Sequence, residues 1–306
     1  MEIVFGDYSL GIRKSDVSYI FAYNLGGLDS LNKGGKEFFY RVPSLAFWRA
    51  TTDNDRGNGF SRRSCMWMGA DLFFNVDDFS AVIDGKELKQ GDLRAPGNNS
   101  LLDSPLRHAE EASVTFFLST CTSPSAKICV KYSVSGKSDG IRVDYTYTGC
   151  EGLPEFPLCG MRFILPFRTE SFDWNGLSGE TYPDRMDGGE KGTWHSDGIP
   201  ECPYVMAQDY GMHMNTESLT VKSTDGRCLT VESLPDSAFN FSLLAWTPQE
   251  IEAAYHPIDL PLKRRSYLTI AAGVRGVGGI DSWGSDVSPQ YRLDASGEYK
   301  TVFILK

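Results

Sequence analysis

The stretch 128–147, ICVKYSVSGKSDGIRVDYTY, decides the fold of this chain. Apolar residues alternate with other residues from Ile128 to Val134 and again from Ile141 to Tyr147, which is the period of a β-strand with one buried face. The segment 136–140 between them is rich in glycine and in polar residues that favour a turn. The sequence therefore predicts an antiparallel β-hairpin with one buried face.

Similar patterns extend outward from this hairpin. Val114, Phe116 and Leu118 alternate upstream, and the apolar segments 267–270 and 301–305 are typical of two later strands. Turn sequences recur along the chain, at 26–27, 33–35, 84–85, 95–98 and 225–226. No linker, repeat or low-complexity segment interrupts the pattern. We expect an all-β fold, a single large antiparallel β-sandwich in which residues 1–306 form one domain.

One short helix is predicted within this β-rich chain. Thr247 suits the N-cap, Pro248 the first helical position, and Glu250 can bond back to the backbone N–H of the cap. The segment 256–257, His-Pro, should end the helix after about two turns, because a residue before proline disfavours the α conformation.

Composition and charge limit the classes of partner. The 306 residues are 41% hydrophobic and 23% charged, which is typical of an ordinary soluble globular protein. The formal net charge of −10, with only short basic runs at 62–63 and 263–265, argues against nucleic acid binding. We therefore expect a neutral or cationic partner.

The cellular location is predicted from the N-terminus and the cysteines. The first residues show no secretory signal, and no apolar run approaches the roughly 20 residues that span a bilayer. Seven cysteines occur without a Cys-x-x-Cys pair, and their odd number leaves at least one outside any intramolecular disulfide. We expect a cytoplasmic protein that does not bind a membrane.

A glycine-rich loop near the C-terminus carries one tryptophan. The segment 275–284, RGVGGIDSWG, places Trp283 after three glycines within four residues. Such glycines usually serve positive φ angles or close backbone approach. Two interpretations stay open: Trp283 stacks on the apolar face of a sugar ring, or it caps the core at the end of a strand.

A second cluster, 47–60, is dense in carboxylate, guanidinium and glycine. It does not fit a calcium loop, because Gly57, Asn58 and Ser64 stand where an EF-hand needs its fifth, sixth and twelfth residues. We therefore predict no metal site here. We expect a turn held by Asx side chains and Asp–Arg pairs, followed by a mobile glycine-hinged loop that begins at Gly57, Asn58, Gly59 and Phe60.

The third cluster, 173–185, contains two carboxylates, Glu180 and Asp184. They could form a glycosidase acid/base pair, which needs a defined separation that sequence spacing cannot supply. The alternative is that Asp184 and Arg185 stabilise a turn after the preceding Tyr-Pro. No phosphate-binding helix, serine elbow or zinc motif is present, and His213 is expected beside the core.

Taken together, these clusters resemble the C-terminal domain of glycoside hydrolase family 2 beta-galactosidases. The similar segments, in order, are FWRATTDNDRG (47–57), LPEFP (153–157), GMRF (160–163), YPDR (182–185) and GGIDSW (278–283). The segments 47–60 and 176–185 look most similar to the separately encoded small subunit of the two-chain enzymes.

The resemblance implies a β-supersandwich like that of galactose mutarotases and a catalytic centre on another chain or domain. In this family a TIM barrel carries the catalytic glutamates, so this chain is expected to have no catalytic residue and no cofactor of its own, with any Mg or Na bound by the partner barrel. The resemblance also implies that Trp283 stacks on the galactoside at the mouth of the site. It implies further that the segment from Gly57 onward is a mobile active-site loop, although 58–63 departs from the long single-chain enzymes.

The expected partners are therefore a beta-galactosidase large subunit, or catalytic domains, and a galactoside such as lactose. Two other functions remain open. A mutarotase-like enzyme would need a His and a carboxylate facing one sugar. A carbohydrate-binding module would need companions for Trp283, for which Trp48, Trp174 and Trp246 are available.

Overall fold

The structure, a computed structural model, describes residues 1–281 and 284–306. Its described strands form three antiparallel sheets, one of ten strands and two of five. The first five-stranded sheet follows chain order: β1 (Glu2–Phe5), β2 (Ser9–Lys14), β3 (Val17–Ala22), β4 (Gly27–Lys33) and β5 (Lys36–Glu37).

The other two sheets interleave along the chain. The ten-stranded sheet contains, from edge to edge, β14 (Lys191–Ser196), β13 (Thr169–Leu177), β16 (Ser218–Ser223), β17 (Cys228–Ser233), β20 (Glu298–Leu305), β11 (Ile141–Thr148), β10 (Lys127–Ser135), β9 (Glu111–Thr120), β7 (Phe74–Ile83) and β8 (Lys86–Lys89). The second five-stranded sheet contains β15 (Met212–Thr216), β18 (Phe239–Leu244), β19 (Ser266–Val274), β12 (Leu158–Leu165) and β6 (Ser44–Ala46).

The hairpin predicted from 128–147 is formed by β10 and β11. Tyr132 pairs with Val143. In both strands every second residue, on the face that includes this pair, is buried. Val143 in turn pairs with Phe303 of β20, so the side chains of all three residues project from one face of the ten-stranded sheet.

That face is the centre of the core. Phe21 of β3 packs on Tyr132 with ring centroids 5.5 Å apart, and Phe163 of β12 packs on Phe303 at 6.0 Å. Both five-stranded sheets therefore cover the same face of the ten-stranded sheet. A single cluster of buried apolar residues extends from Ile3 to Leu305. The predicted all-β antiparallel sandwich is confirmed.

The described residues contain four short helices, of which the sequence predicted one. They are α1 (Asp53–Gly57), α2 (Phe60–Arg63), α3 (Gln90–Leu93) and α4 (Pro248–Ala253). Helix α4 is the predicted one, with Thr247 and Glu250 forming the expected reciprocal capping box. Helix α1 was predicted only as a turn because Asp55, rather than the more usual Glu or Gln, completes its capping box.

Short 3₁₀ segments link the strands. They occur at Cys65–Trp67, Gly97–Leu101, Pro105–Arg107, Pro257–Asp259 and Pro289–Tyr291. Within the described ranges, no helix has the length and apolar character needed to cross a membrane. All seven cysteines have free thiols.

Candidate functional site

Helix α1 lies where the sequence predicted an Asx-stabilised turn. The Thr52 side chain accepts a hydrogen bond from the backbone N–H of Asp55 at 3.2 Å, and the Asp55 carboxylate accepts from the N–H of Thr52 at 3.0 Å. These bonds satisfy two of the orphan donors at the start of the helix. The side chain of Asp55 is thereby directed into the protein, where it is fully buried.

Asp55 joins two arginines from distant parts of the chain. Arg49 Nη1 lies 2.6 Å from Asp55 Oδ2, and Arg275 Nη1 lies 3.1 Å from Asp55 Oδ1. Arg275 also contacts Asp286 Oδ1 at 2.5 Å and Glu155 Oε2 at 3.5 Å, and none of its surface is exposed. The buried carboxylate of Asp55 thus attaches α1 to Arg275, at the start of the loop that carries Trp283, and Arg275 in turn pairs with Asp286. Because these charges are buried, breaking the pairing would be costly.

The glycine-rich loop is also held along its backbone. Asp184 accepts hydrogen bonds from the N–H groups of Val277, at 3.0 Å, and Gly278, at 2.8 Å. Asn54 donates to the carbonyl of Val277 at 2.9 Å, and Arg185 donates to the carbonyl of Gly278. Gly278 has a φ of +69°, so it adopts the left-handed backbone that the run of glycines predicted. The loop is therefore built on α1 and the 182–185 turn.

The segment predicted as a mobile loop lies against this glycine-rich loop. A Cβ added at Gly284 would come within 3.0 Å of the carbonyl oxygen of Gly57, so the two backbones are in close contact. Arg63 Nη2 pairs with Asp286 at 2.8 Å, and Phe60 is buried beneath the Arg275 guanidinium, 3.9 Å from the ring centroid. Gly57 ends α1, Asn58 and Gly59 connect the two helices, and Phe60 begins α2. The mobility of this segment stays a prediction, and Trp283 itself lies outside the described residues.

The two carboxylates considered as an acid/base pair have separate local partners. Asp184 binds the two backbone amides of the glycine-rich loop, whereas Glu180 Oε2 accepts from the backbone N–H of Gly211 at 2.5 Å. The turn interpretation of Asp184 and Arg185 is the one that these contacts favour. Partial burial raises the pKa of Glu180, and the hydrogen bond from Gly211 opposes the rise.

A cavity of about 490 Å³ opens beside α1 and the glycine-rich loop. Asp209 lies at its floor, only 6% exposed, and accepts a hydrogen bond from the Tyr182 hydroxyl at 2.7 Å. Burial raises the pKa of Asp209 to about 7, although Arg49 and the Tyr182 hydroxyl oppose the rise. Gln208 and Tyr204 also line the cavity.

Sequence reasoning missed this cavity. Gln208 and Asp209 belong to the connection between β14 and β15, which carries no recognisable motif. The only signal was the unexplained density of polar residues in 52–54 and 180–185, which contribute to its lining.

The tryptophans suggested as companions for Trp283 do not form an exposed platform. Trp48 is fully buried, and Trp174 and Trp246 are 7% and 5% exposed. His213 lies beside the core as predicted, because its ring is 4.6 Å from those of Trp174 and Phe241.

Exposed apolar side chains occur on two adjoining segments, 203–206 and 255–262, of which the first contributes Tyr204 to the lining of the cavity. The backbone N–H of Ala207 donates to the carbonyl of Tyr255 at 3.2 Å and joins the segments. We call this surface the apolar rim; it comprises Tyr204, Val205, Tyr255, Ile258 and Leu262. Val205, Ile258 and Leu262 are each more than 80% exposed, and exposed aliphatic surface of this kind often marks an interaction site.

Comparison of the sequence with known proteins shows the family to which the chain belongs. Residues 13–305 match the family model described as "Beta galactosidase small chain". A beta-galactosidase small subunit from Latilactobacillus sakei is 43% identical over 305 residues, 97% of this chain and 94% of the relative. The chain belongs to the beta-galactosidase small-chain family. The match confirms the family resemblance found in the sequence.

Other relatives of this small-chain family member are much longer than the chain itself. A beta-galactosidase from Halalkalibacterium halodurans is 30% identical over 99% of this chain, which spans only 28% of that protein. Among solved structures, a galactose mutarotase-like protein from Lactobacillus casei matches 97% of this chain and 99% of its own, with 11% identity and a TM-score of 0.42. Because this similarity is so low, the description of the fold rests on the sheets described above and not on this comparison.

Proposed function

We propose that this chain is a non-catalytic subunit that completes the active-site mouth of a retaining beta-galactosidase of glycoside hydrolase family 2. The supporting observation is one of length. The chain matches almost the whole of a small subunit but about a quarter of a single-chain beta-galactosidase, so the catalytic part of the enzyme would be supplied by a large subunit or by other catalytic domains. The partner would be a large subunit with the TIM barrel that carries both catalytic glutamates.

We infer that this chain contributes two loops to the active-site mouth of the assembly. The loop that carries Trp283 is anchored by Asp184, Asn54 and the Asp55–Arg275 pair, and it contacts the segment that begins at Gly57. We assign Trp283 to stacking on the galactoside or its leaving group, and Gly57, Asn58, Gly59 and Phe60 to a loop that moves beside the site. Both assignments rest on the family resemblance.

The apolar rim supports the need for a partner, because a monomer rarely leaves such residues uncovered. Stable subunit interfaces commonly bury more than roughly 2,000 Å² and are rich in apolar residues. We further propose a cytoplasmic location, one domain over residues 1–306, no cofactor in this chain, and any Mg or Na held by the partner barrel.

Complementation tests the proposal. The purified chain alone should not hydrolyse aryl galactosides, because the paired carboxylates of a retaining enzyme are on the partner. Mixing it with a separately purified large subunit should restore activity and yield a complex in size-exclusion chromatography, while serum albumin in its place should not. Turnover by the isolated chain, free of contaminating enzyme, would refute the proposal.

A stand-alone carbohydrate-binding module is the second candidate, but the burial of Trp48, Trp174 and Trp246 removes its expected aromatic platform. Two of the described histidines, His213 and His195, do not support a mutarotase-like enzyme either. His213 is buried against Trp174 and Phe241, and both ring nitrogens of His195 already contact Asp173 and Asp197.

A further inference from the structure

A second, smaller cavity of about 120 Å³ lies where strands β13 and β19 begin. It shares no residue with the cavity beside α1. Its lining includes three cationic residues, Arg168, Lys263 and Arg265, and no acidic residue. The basic run at 263–265, which stood out in the sequence, therefore contributes two cations to a concave site.

Two of these cations have no counter-ion in the described part of the chain. The guanidinium groups of Arg168 and Arg265 form no ion pair with a described residue and donate no hydrogen bond to one. Arg265 is half-buried, and its Cζ lies 3.4 Å from the centroid of the Tyr40 ring. Stacking of this kind uses the face of the guanidinium, so the N–H groups in its plane stay available to an acceptor.

The third cation, Lys263, is partly neutralised. Its ammonium pairs with Glu201, which does not line the cavity and whose side chain is 75% exposed. Three cations and one carboxylate leave two uncompensated positive charges, in a chain whose formal net charge is −10. An acidic protein thus concentrates positive charge at this cavity.

A pair of hydroxyl groups supplies one further donor. Ser266 Oγ accepts the backbone N–H of Thr169 at 3.0 Å and lies 2.8 Å from Thr169 Oγ1. Whichever hydroxyl donates across the 2.8 Å contact, the hydrogen of the other is left over, and no other described residue accepts it. Both residues line the cavity, so a ligand there can accept that hydrogen.

These groups favour a small dianion. Every polar side chain in the lining can donate a hydrogen bond, whereas a cationic ligand would find no carboxylate there. Because water occupies about 30 Å³ per molecule in the liquid, the volume of about 120 Å³ corresponds to about four waters. That is room for a tetrahedral oxyanion but not for a whole sugar or nucleotide, since sites for such ligands usually exceed roughly 300 Å³. The two uncompensated charges match the roughly −1.5 to −2 that a phosphoryl group carries at pH 7.

We propose that this cavity binds a phosphate dianion, either inorganic phosphate or the phosphoryl group of a monoester whose remainder stays in solvent. Arg168 and Arg265 donate charge-assisted hydrogen bonds to its oxygens, and Lys263 adds a point charge. The Thr169–Ser266 pair donates its remaining hydroxyl hydrogen. This inference goes beyond the proposed function, because it assigns an anion site to a part of the chain away from the galactoside.

Isothermal titration of the purified chain with inorganic phosphate at pH 7.5, with the ionic strength held constant by sodium chloride, tests the proposal. For five heavy atoms, a Kd on the order of 1 mM lies within the ligand efficiency of very small ligands. Acetate, a planar monoanion, should bind at least about fivefold more weakly. Absence of phosphate binding up to about 30 mM, or acetate binding as tight as that of phosphate, would overturn the proposal.

Methyl phosphate distinguishes the two sources of the dianion. An affinity equal to that of inorganic phosphate or higher supports the site and assigns it to a monoester. A lower but measurable affinity supports the site and assigns it to free phosphate.

Three variants locate the binding. Arg168→Gln and Arg265→Gln each remove a cation that has no ion pair to lose, and each should weaken phosphate binding by at least about fivefold. Arg264→Gln is the matched control, because it removes the same charge from an exposed neighbour that does not line the cavity, and it should change the Kd by less than about twofold. Equal losses in all three variants would show nonspecific attraction and overturn the proposal, as would unchanged affinity in both cavity variants.

An acidic segment of a large subunit is the competing occupant. In that case the isolated chain does not bind phosphate, whereas Arg168→Gln and Arg265→Gln weaken its complex with the large subunit, and the proposal is overturned. Circular dichroism checks the fold of Arg265→Gln, and the Arg168 variant decides if that protein is unfolded. Phosphate binding is measured without a large subunit, so failure of the anion site and failure of the subunit assignment can be told apart.

Discussion

Gly57 and Gly284 lie backbone against backbone, so that the end of α1 and the described part of the Trp283 loop occupy adjoining space. A Cβ at Gly284 would lie 3.0 Å from the Gly57 carbonyl oxygen, and the φ of Gly284 is +81°. The two segments that the family resemblance assigned to the active-site mouth are therefore in direct contact. A change in the position of one should be transmitted to the other.

Gly284→Ala tests this contact. The added methyl group meets the Gly57 carbonyl and is strained by the positive φ, so we expect loss of activity in the complemented enzyme with increased KM. Gly188→Ala is the matched control, because its φ of +87° brings similar strain while nothing lies within 4 Å of the added atom. Equal kinetic parameters for the two variants would show that the close approach has no part in the site.

The buried pairing of Asp55 with Arg49 and Arg275 should dominate the stability of this region. Asp55→Asn leaves two buried guanidinium groups without their shared carboxylate and should reduce the free energy of unfolding by about 3–5 kcal/mol. Asp53→Asn affects only the partly exposed pair with Arg56 and should cost about 0–1 kcal/mol. Urea denaturation at neutral pH compares them. Similar losses for both variants would contradict the role given to Asp55.

His213 should make the protein sensitive to acid. Burial lowers the pKa of His213 from 6.5 to about 4. Since the unfolded state binds the proton first, stability from this group is complete above pH 6.5 and is lost as pH falls toward about 4, by on the order of 3 kcal/mol. Denaturant unfolding between pH 7.5 and 4.5, compared with His213→Phe, measures the difference. An NMR titration of His213 centred near pH 6.5 would contradict the predicted contribution of His213 to the loss of stability in acid.

The contribution of Asp209 to stability should depend on pH in the opposite direction to that of His213. Burial raises the pKa of Asp209 to about 7 from 3.8, so its contribution is most favourable at low pH and is lost as pH rises through about 7. Asp209→Asn, which stays neutral, should therefore gain in unfolding free energy relative to the wild type between pH 5 and pH 8. A difference that does not change over that range would mean that Asp209 is ionised throughout.

Trp283→Ala tests the stacking proposed for that residue. Contacts made equally in the ground state and the transition state raise KM more than they lower kcat when lost. We expect a loss of on the order of 1–3 kcal/mol in kcat/KM, mainly through KM, in the complemented enzyme. The alternative interpretation of Trp283 as a core cap predicts unchanged KM and a lower melting temperature, which differential scanning calorimetry would detect.

Local patterns in the sequence determined most of the fold. The strands β10 and β11 were predictable from alternation, because each must bury one face. The capping box of Thr247 and Glu250 was predictable because its two partners are only three residues apart in sequence. The glycines at 278 and 279 likewise indicated left-handed backbone, and both have positive φ. The family segments added the subunit assignment.

Only the tertiary structure decided what surrounds those patterns. Asp55 and Arg275 are 220 residues apart, and the charges of both were visible in sequence while their pairing was not. The cavity joins 52–54, 180–185 and 204–209, so the buried environment of Gln208 and Asp209 exists only after the chain has folded. Whether a buried polar group has a hydrogen-bond partner depends on residues that are close in space, and the periodicity of the sequence does not show which residues those are.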